Sequence, residues 1–258
     1  MTLYNNWDQA AARAATQLDG TPDGGSWKRN SFVNEVLEHI SYELGGAFLG
    51  KIVSQFWSLS PLQLQCVCAV NDLRGGASLY RYEYPNYGTI MSSPSSLRYV
   101  YHALCIVSSF DIISDIVEIG GGYGGLALVM RMISEYYGKR IGTYTIYDLS
   151  GPKLLQQAYL RPFNGCGWAK WAEDGSFGEE QRSAERLLVS AYAVSELQPQ
   201  VRDKYLETLV PKCSRGFLVW NTSGRSIHLP SNRTEVKESP QTGTCNVVIV
   251  WGNDRNVT

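Results

Sequence analysis

Residues 117–126 read VEIGGGYGGL, so five glycines and one acid fall within ten positions. Glycine permits a tight turn and lets a bound molecule approach the backbone closely. Free N–H groups at the start of a helix offer hydrogen-bond donors to a polar or anionic ligand. A glycine turn between a strand and a helix therefore suits a cofactor site.

Two acids beside this turn narrow the chemistry of the cofactor. Gly120, Gly122 and Gly125 satisfy the dinucleotide pattern GxGxxG, which is weak evidence on its own. Glu118 precedes the first glycine by two residues and suits a cationic amino-acid group better than a pyrophosphate. Asp148 follows the last glycine by about 23 residues, where an acceptor fits ribose hydroxyls. The pair indicates an adenosine cofactor, either a nicotinamide dinucleotide or S-adenosylmethionine; the alternative is a purely structural glycine turn.

The second half of the chain predicts the elements that would position these residues. Short runs rich in β-branched and aromatic residues alternate there with helix-like stretches. The runs are DIVEIG (115–120), YTIYDL (144–149), ERLLVSAYAV (185–194), GFLVWNT (216–222) and NVVIVWG (246–252). This alternation predicts an α/β fold with a mostly parallel sheet and crossover helices on both faces. The last run lacks a preceding helix and suits an antiparallel edge hairpin.

The first half has a different character. Apolar residues recur at helical spacing over 30–70, with breaks expected at Gly45-Gly46 and at Pro61. Residues 71–96 are rich in turn-forming types and predict a loop, and a helix is expected over 97–109. We therefore predict a helical N-terminal extension or lid, 1–96, and a Rossmann-like cofactor-binding domain, 97–258.

Composition excludes several classes of function. The formal charge of the 258 residues is −1 and the basic residues are scattered, which argues against a nucleic-acid partner. Six cysteines show no CxxC spacing, which favours reduced thiols. No signal-peptide pattern or membrane-spanning run is present, so we expect a cytoplasmic protein without a membrane partner. A homodimer is left open.

Three segments carry a resemblance to a known family. VEIGGGYGG, YTIYDLSGPKLLQQAYL and LLVSAYAVSELQPQVRDKYLETLVPKCSRGFLVWN look like the sugar O-methyltransferase group of the class I S-adenosylmethionine-dependent methyltransferases, over roughly residues 85–222. The resemblance implies a seven-stranded sheet, S-adenosylmethionine as cofactor and methyl transfer to a hydroxyl of a sugar or glycan. The alternatives are an NAD(P)-dependent oxidoreductase, for which no YxxxK pair is present, and a catalytically silent binding domain.

The resemblance also implies a set of cofactor-binding residues. Those at the glycine turn and the next strand end would surround the methionine and ribose parts of the cofactor: Glu118, Gly120, Gly122, Tyr123, Gly124, Asp148 and Leu149. Asp174 and Gly175 would contact the adenine amino group, with Trp168 or Trp171 available for stacking. Arg98 and His102, four residues apart, would reach the cofactor carboxylate or the acceptor; otherwise they salt-bridge and pack.

Methyl transfer to a sugar hydroxyl requires a base that removes a proton. Glu196, which follows the fourth predicted strand, is the first candidate, and His228 and His102 are the others. Tyr192 and Ser195 would flank the same pocket. No paired acids follow the fourth or fifth strand, so we predict a reaction that needs no metal.

Tyrosines are concentrated over residues 79–91, LYRYEYPNYGTIM. Aromatic rings suit the apolar face of a pyranose, and we predict that this segment, with Tyr87, forms a lid or wall of the acceptor site. The alternative is a short strand on which Tyr80, Tyr82 and Tyr84 alternate and pack one face on the core.

Overall fold

The protein is described by a computed structural model that covers residues 3–21, 24–173, 175–177, 183–221 and 228–254. The α-helices in these ranges are α1 (Leu3–Gly20), α2 (Ser31–Leu37), α3 (Tyr42–Gln55), α4 (Pro61–Asp72), α5 (Pro94–Ser109), α6 (Gly125–Tyr136), α7 (Ser150–Leu160), α8 (Ala193–Glu196) and α9 (Pro199–Thr208). Single 3-10 turns occupy Trp27–Arg29, Arg161–Phe163 and Val210–Lys212.

The strands form two sheets. A small hairpin consists of β1 (Tyr80–Tyr84) and β2 (Gly88–Ser92). The main sheet contains β3 (Asp115–Ile119), β4 (Thr143–Tyr147), β5 (Ala169–Trp171), β6 (Ser183–Ala191), β7 (Cys213–Trp220), β8 (Thr234–Lys237) and β9 (Val247–Trp251). Its seven strands lie in the order β5-β4-β3-β6-β7-β9-β8.

The predicted mostly parallel seven-stranded sheet is confirmed. Strands β3 to β7 are mutually parallel, whereas β9 runs antiparallel to both β7 and β8, so the chain ends in the expected antiparallel edge hairpin. Every residue of β3 after Asp115 is buried, as is typical of a parallel strand covered on both faces. The three-residue edge strand β5 lies in a segment whose sequence pattern was too irregular to predict it.

The strand order reverses between β3 and β6. The chain builds β4 and β5 on one side of β3 and then crosses to the other side for β6 and β7. In open α/β sheets, a crevice opens at the carboxyl ends of the two strands where the order reverses. The glycine turn after β3 and the residues after β6 therefore face the same crevice.

The N-terminal helices pack onto this sheet domain. Helix α1 lies along α7, α3 packs on α5, and their buried residues belong to the same core cluster as residues of the main sheet. The division at residue 96 stays a prediction. None of the helices in the described ranges has the length and hydrophobicity that crossing a bilayer requires.

Two predictions about the first half are wrong. Gly45 and Gly46 do not break the helical region but lie inside α3, where a Cβ on Gly45 would come within 2.3 Å of the Tyr82 hydroxyl. Residues 71–96 are not a loop, because they include the β1–β2 hairpin. Pro61 does mark a break, since it is the first residue of α4 after the Ser60 capping box.

The tyrosine-rich hairpin packs against α3 and α4. Tyr82 is buried and stacks on Tyr42 of α3, with ring centroids 5.0 Å apart. The Tyr87 hydroxyl donates to the Leu59 carbonyl at 2.7 Å. Tyr87 does not line the cavity described below, so the acceptor wall predicted there is not observed. The core-packing alternative holds for Tyr82, whereas Tyr80 is largely exposed.

Candidate functional site

A cavity of about 620 Å³ opens at the carboxyl ends of β3, β4, β6 and β7. Its volume is typical of a site for a small ligand. The sheet side supplies residues from the glycine turn and the strand ends. The rest of the wall is supplied by Trp7 of α1, by Val36 and Leu37 of α2, by His39, and by the segment 242–246 before β9.

The glycine turn forms the cavity floor at the end of β3. Gly120 and Gly122 line the cavity and have φ values of +74° and +57°, in the left-handed region that side chains disfavour. A Cβ on Gly120 would lie 2.1 Å from the Cβ of Ala193. Gly124 does not line the cavity; it is the N-cap of α6 and packs against Leu160. The turn thus brings bare backbone to the ligand space.

Glu118 is an acid buried at the same edge. Only 1% of its surface is exposed, and its Oε2 atom accepts a hydrogen bond from the Tyr144 hydroxyl at 3.0 Å. Burial raises the pKa of Glu118 to about 8, with a smaller contribution from the charge of Asp148 and an opposing one from the Tyr144 bond. A cation placed beside Glu118 would favour its ionised form.

Asp148 is held in a fixed orientation at the end of β4. Its Oδ1 atom accepts from the Leu149 amide at 2.9 Å, and its Oδ2 atom accepts from Gln156 Nε2 at 2.8 Å. The same Gln156 nitrogen donates to the Gly122 carbonyl at 3.1 Å, which ties the acid to the glycine turn. Burial raises the pKa of Asp148 to about 7, against the hydrogen bonds it accepts. Asp148 and Leu149 both line the cavity.

Arg98 brings a buried cation to the cavity wall. Its side chain on α5 lies against the rings of Tyr99 and Tyr192, with Cζ 5.3 and 5.5 Å from the ring centroids. Nη2 donates to the Leu37 carbonyl at 3.3 Å, whereas Nε has no hydrogen-bond partner within the described ranges. A guanidinium in the cavity wall is well placed to bind an anion.

The ends of β6 and β7 add polar groups to the cavity. Glu196 Oε1 accepts from Asn221 Nδ2 at 2.6 Å, and both residues line the cavity. The Glu196 side chain reaches solvent, yet partial burial raises its pKa above the usual value. Tyr192 has a φ of +71°, a strained conformation for a bulky residue, and its hydroxyl is hydrogen-bonded to Glu238.

Both predicted catalytic histidines lie outside the cavity wall. His102 is packed among aromatic rings that include Phe48 and Phe217, and burial lowers its pKa to about 3. A core histidine with this pKa is a poor base, so the packing alternative for His102 is the one observed. His228 Nε2 lies 3.3 Å from Glu207 Oε1, away from the cavity.

Other predicted site residues have structural positions. Ser195 Oγ donates to the Tyr192 carbonyl at 2.6 Å and accepts from the Asn221 amide at 3.1 Å, so it braces the turn after β6. The Tyr123 ring is fully buried between Trp27 and Tyr159 and does not line the cavity.

The structure describes only part of the segment that was predicted to bind adenine. Gly175 does not line the cavity, and Asp174 lies outside the described residues. Trp168 is buried and donates to the Phe163 carbonyl at 2.9 Å, and the cavity wall includes neither Trp168 nor Trp171. Within the described ranges, no group of His, Cys, Asp or Glu side chains could hold a metal ion, and metal independence stays a prediction.

Sequence reasoning missed the contribution of the N-terminal segment to the cavity. Trp7 and His39 belong to elements far from the glycine turn in sequence, and nothing in their local pattern marks them. The segment 242–246, which supplies Thr242 and Asn246, was also missed. A short internal network fixes that segment, since Asn246 Nδ2 donates to Thr242 Oγ1 at 3.2 Å and Thr242 N donates to Glu238 at 2.9 Å.

Comparisons with known proteins add little. No protein-family model matches the chain, and no curated protein matches it significantly. Solved structures with similar folds include the O-methyltransferase NcsB1 from neocarzinostatin biosynthesis, bound to S-adenosyl-L-homocysteine and 1,4-dihydroxy-2-naphthoic acid (14% identity, TM-score 0.38, 54% of this chain and 49% of that chain). Another is the pyocyanin biosynthetic protein PhzM (10% identity, TM-score 0.43, 61% of this chain and 55% of that chain). A third is M. capricolum TrmK with S-adenosyl-homocysteine (12% identity, TM-score 0.40, 58% of this chain and 65% of that chain).

The matched region spans about half the length of NcsB1 and PhzM. Likeness at these identities and TM-scores carries no functional argument.

Proposed function

We propose that this chain is an S-adenosylmethionine-dependent O-methyltransferase that acts on a hydroxyl of a sugar or glycan. One observation carries the proposal: a single cavity at the strand-order reversal combines the bare glycine turn with Glu118, Arg98 and Asp148. These groups fit the polar ends of that cofactor. An acid suits its ammonium, a cation its carboxylate, and a fixed carboxylate its ribose hydroxyls.

The cofactor, when bound, supplies an electrophilic methyl group. The chain's own residues would then position two molecules. Arg98, whose side chain lines the cavity, holds the carboxylate, and Glu118 holds the ammonium in its ionised form. Asp148 accepts from the ribose, and its bonds to Leu149 and Gln156 keep it oriented before the ligand arrives. Such positioning can contribute about 7 to 11 kcal/mol in the best intramolecular comparisons.

The remaining wall supports a polyhydroxylated acceptor. Tyr192, Glu196, Asn221, Thr242 and Asn246 present hydroxyl, carboxylate and amide groups to one side of the cavity. Each can donate or accept a hydrogen bond, and a sugar offers several hydroxyls that do the same. The half-buried Tyr192 adds an aromatic side chain to this wall.

Two assays test this proposal. Titration calorimetry with S-adenosylhomocysteine and with NAD should show binding of the first alone, and tight binding of NAD alone would favour the oxidoreductase. Incubation with methyl-labelled S-adenosylmethionine and a panel of free and glycan-linked sugars should then give labelled product. Cofactor binding without transfer to any sugar would reject the sugar acceptor and favour a silent binding domain.

A further inference from the structure

His39 borders two cavities at once. It lines the large cavity and also a smaller one of about 170 Å³ whose wall includes the polar residues Lys28, Asn34, Glu38 and Ser78. Among the described residues that line the large cavity, it is the only histidine. His39 therefore belongs to the walls of both the large cavity and the small polar one.

The position of His39 is fixed through the end of α2. Asn30 begins this helix by accepting a hydrogen bond from the Phe32 amide at 3.1 Å. At the other end, the Leu37 carbonyl accepts from Ser95 Oγ at 3.2 Å and from Arg98 Nη2 at 3.3 Å. His39 follows two residues later and is thus anchored to α5, which also carries Arg98.

The His39 ring is neutral and can accept one proton. A backbone interaction with Val36 acts to raise the pKa of the His39 ring. Enclosure by the protein, and then the charge of Arg98, lower the pKa of His39 and outweigh the effect of that interaction. The imidazole is therefore neutral at neutral pH, as a proton acceptor must be.

Glu196 is less suited to this role. Partial burial raises the pKa of Glu196, but its Oε1 atom already accepts the 2.6 Å bond from Asn221 Nδ2, which holds the carboxylate in place. A carboxylate held in this way is better suited to orienting a hydroxyl than to accepting its proton.

We propose that His39 is the catalytic residue that accepts the acceptor hydroxyl proton, and that the small polar cavity is the route by which this proton leaves. The inference rests on the proposed methyltransferase function. The acceptor oxygen bonds to the methyl carbon while the carbon–sulfur bond breaks and its electron pair stays on sulfur. The hydroxyl proton moves to the unprotonated nitrogen of His39, and the resulting imidazolium releases it to water in the small cavity.

The first test compares variants in the labelled-methyl assay. His39→Gln and His39→Ala should lower kcat by about a hundred- to ten-thousand-fold, the usual contribution of a general base. Added imidazole should restore part of the activity of His39→Ala, which a merely structural role would not allow. His228→Ala, the matched control at a histidine outside the cavity, should keep full activity. Glu196→Gln should lose less activity than His39→Gln.

The second test needs no turnover. Ring-nitrogen NMR of the protein at pH 7, assigned with the His39→Gln variant, should show a neutral His39 with one protonated nitrogen. A charged His39 ring would overturn the inference. So would a His39→Gln variant with kcat within about tenfold of the unaltered chain, or a larger loss in Glu196→Gln.

The outcomes separate this inference from the proposed function. S-adenosylhomocysteine should bind the His39 variants and the unaltered chain with similar affinity. If the unaltered protein and the His39 variants are all active, the role of His39 is rejected and the methyltransferase function stands. Absence of cofactor binding or of transfer by the unaltered chain would reject the methyltransferase function and this inference with it.

Discussion

Glu118→Gln should remove most of the pH dependence of S-adenosylhomocysteine binding. Glu118 has a pKa of about 8 in the free protein because it is buried. About nine-tenths of the protein molecules therefore carry a protonated Glu118 at pH 7. The ligand ammonium favours the ionised carboxylate, so binding should expel nearly one proton from this residue at pH 7.

The direction and size of the effect follow from this raised pKa. Affinity should rise with pH up to about 8 and then level off, because the carboxylate is already ionised above that value. Binding should weaken by about fivefold from pH 8 to pH 7 and by about ninefold from pH 7 to pH 6, approaching the tenfold, or about 1.4 kcal/mol, that one pH unit is worth. With the bound carboxylate ionised throughout this range, Glu118 accounts for about a fiftyfold gain in affinity between pH 6 and pH 8. Asp148, with a pKa of about 7, adds a smaller gain of the same sign.

Calorimetry at pH 6, 7 and 8 in two buffers of different ionisation enthalpy measures both affinity and proton release. The isosteric Glu118→Gln variant keeps an acceptor for the Tyr144 hydroxyl and should release about one proton fewer at pH 7. Glu135→Gln, a surface control whose acid pairs with Arg131, should behave like the unaltered chain. Equal pH dependence in the Glu118→Gln and unaltered chains would refute the reasoning.

Three further predictions concern stability and the limits of the site. Glu118 ionises near pH 4.5 in the unfolded chain and near pH 8 in the folded one, so folding stability falls as pH rises between these values. In thermal denaturation, Glu118→Gln should therefore gain more stability over the unaltered chain at pH 8 than at pH 5. An equal gain at both pH values would contradict this prediction. Gly120→Ala should lose cofactor binding and about 1 to 3 kcal/mol or more of unfolding free energy. The reason is that φ of Gly120 is +74° and the new Cβ would lie 2.1 Å from the Cβ of Ala193. Normal cofactor binding in calorimetry would argue against the glycine turn as part of the cofactor site. Tyr87→Phe should lose about 1 kcal/mol of unfolding free energy in urea denaturation, because it removes the hydrogen bond to the Leu59 carbonyl. Its affinity for S-adenosylhomocysteine should stay normal, and weakened binding would indicate that the hairpin contributes to the site.

The sheet and the acid-lined turn could be predicted because both depend on local pattern. The buried runs DIVEIG and YTIYDL are continuous enough to specify parallel strands, and the carboxyl ends of such strands meet at one edge. Glu118, Gly120 and Asp148 accordingly share the cavity wall, as the positions of the strand ends required. Whether they bind the predicted cofactor stays a prediction.

The helical side of the cavity could not be predicted, because it depends on tertiary packing. His39 and Trp7 reach the cavity only because α1 packs on α7 and the end of α2 is tied to α5. Helix α5 shows a related limit. Nearly all of its residues are buried, so no polar face marks the side that meets the cavity. Arg98 and His102 lie one turn apart, yet only Arg98 lines the cavity.

A crystal structure of the complex with S-adenosylhomocysteine tests the central claim most directly. The account predicts ribose hydroxyls bonded to Asp148, the carboxylate on Arg98, the ammonium beside Glu118, and space between the sulfur and His39 for an acceptor. A ligand bound outside this cavity, or one in this cavity with its ribose away from Asp148, would contradict it.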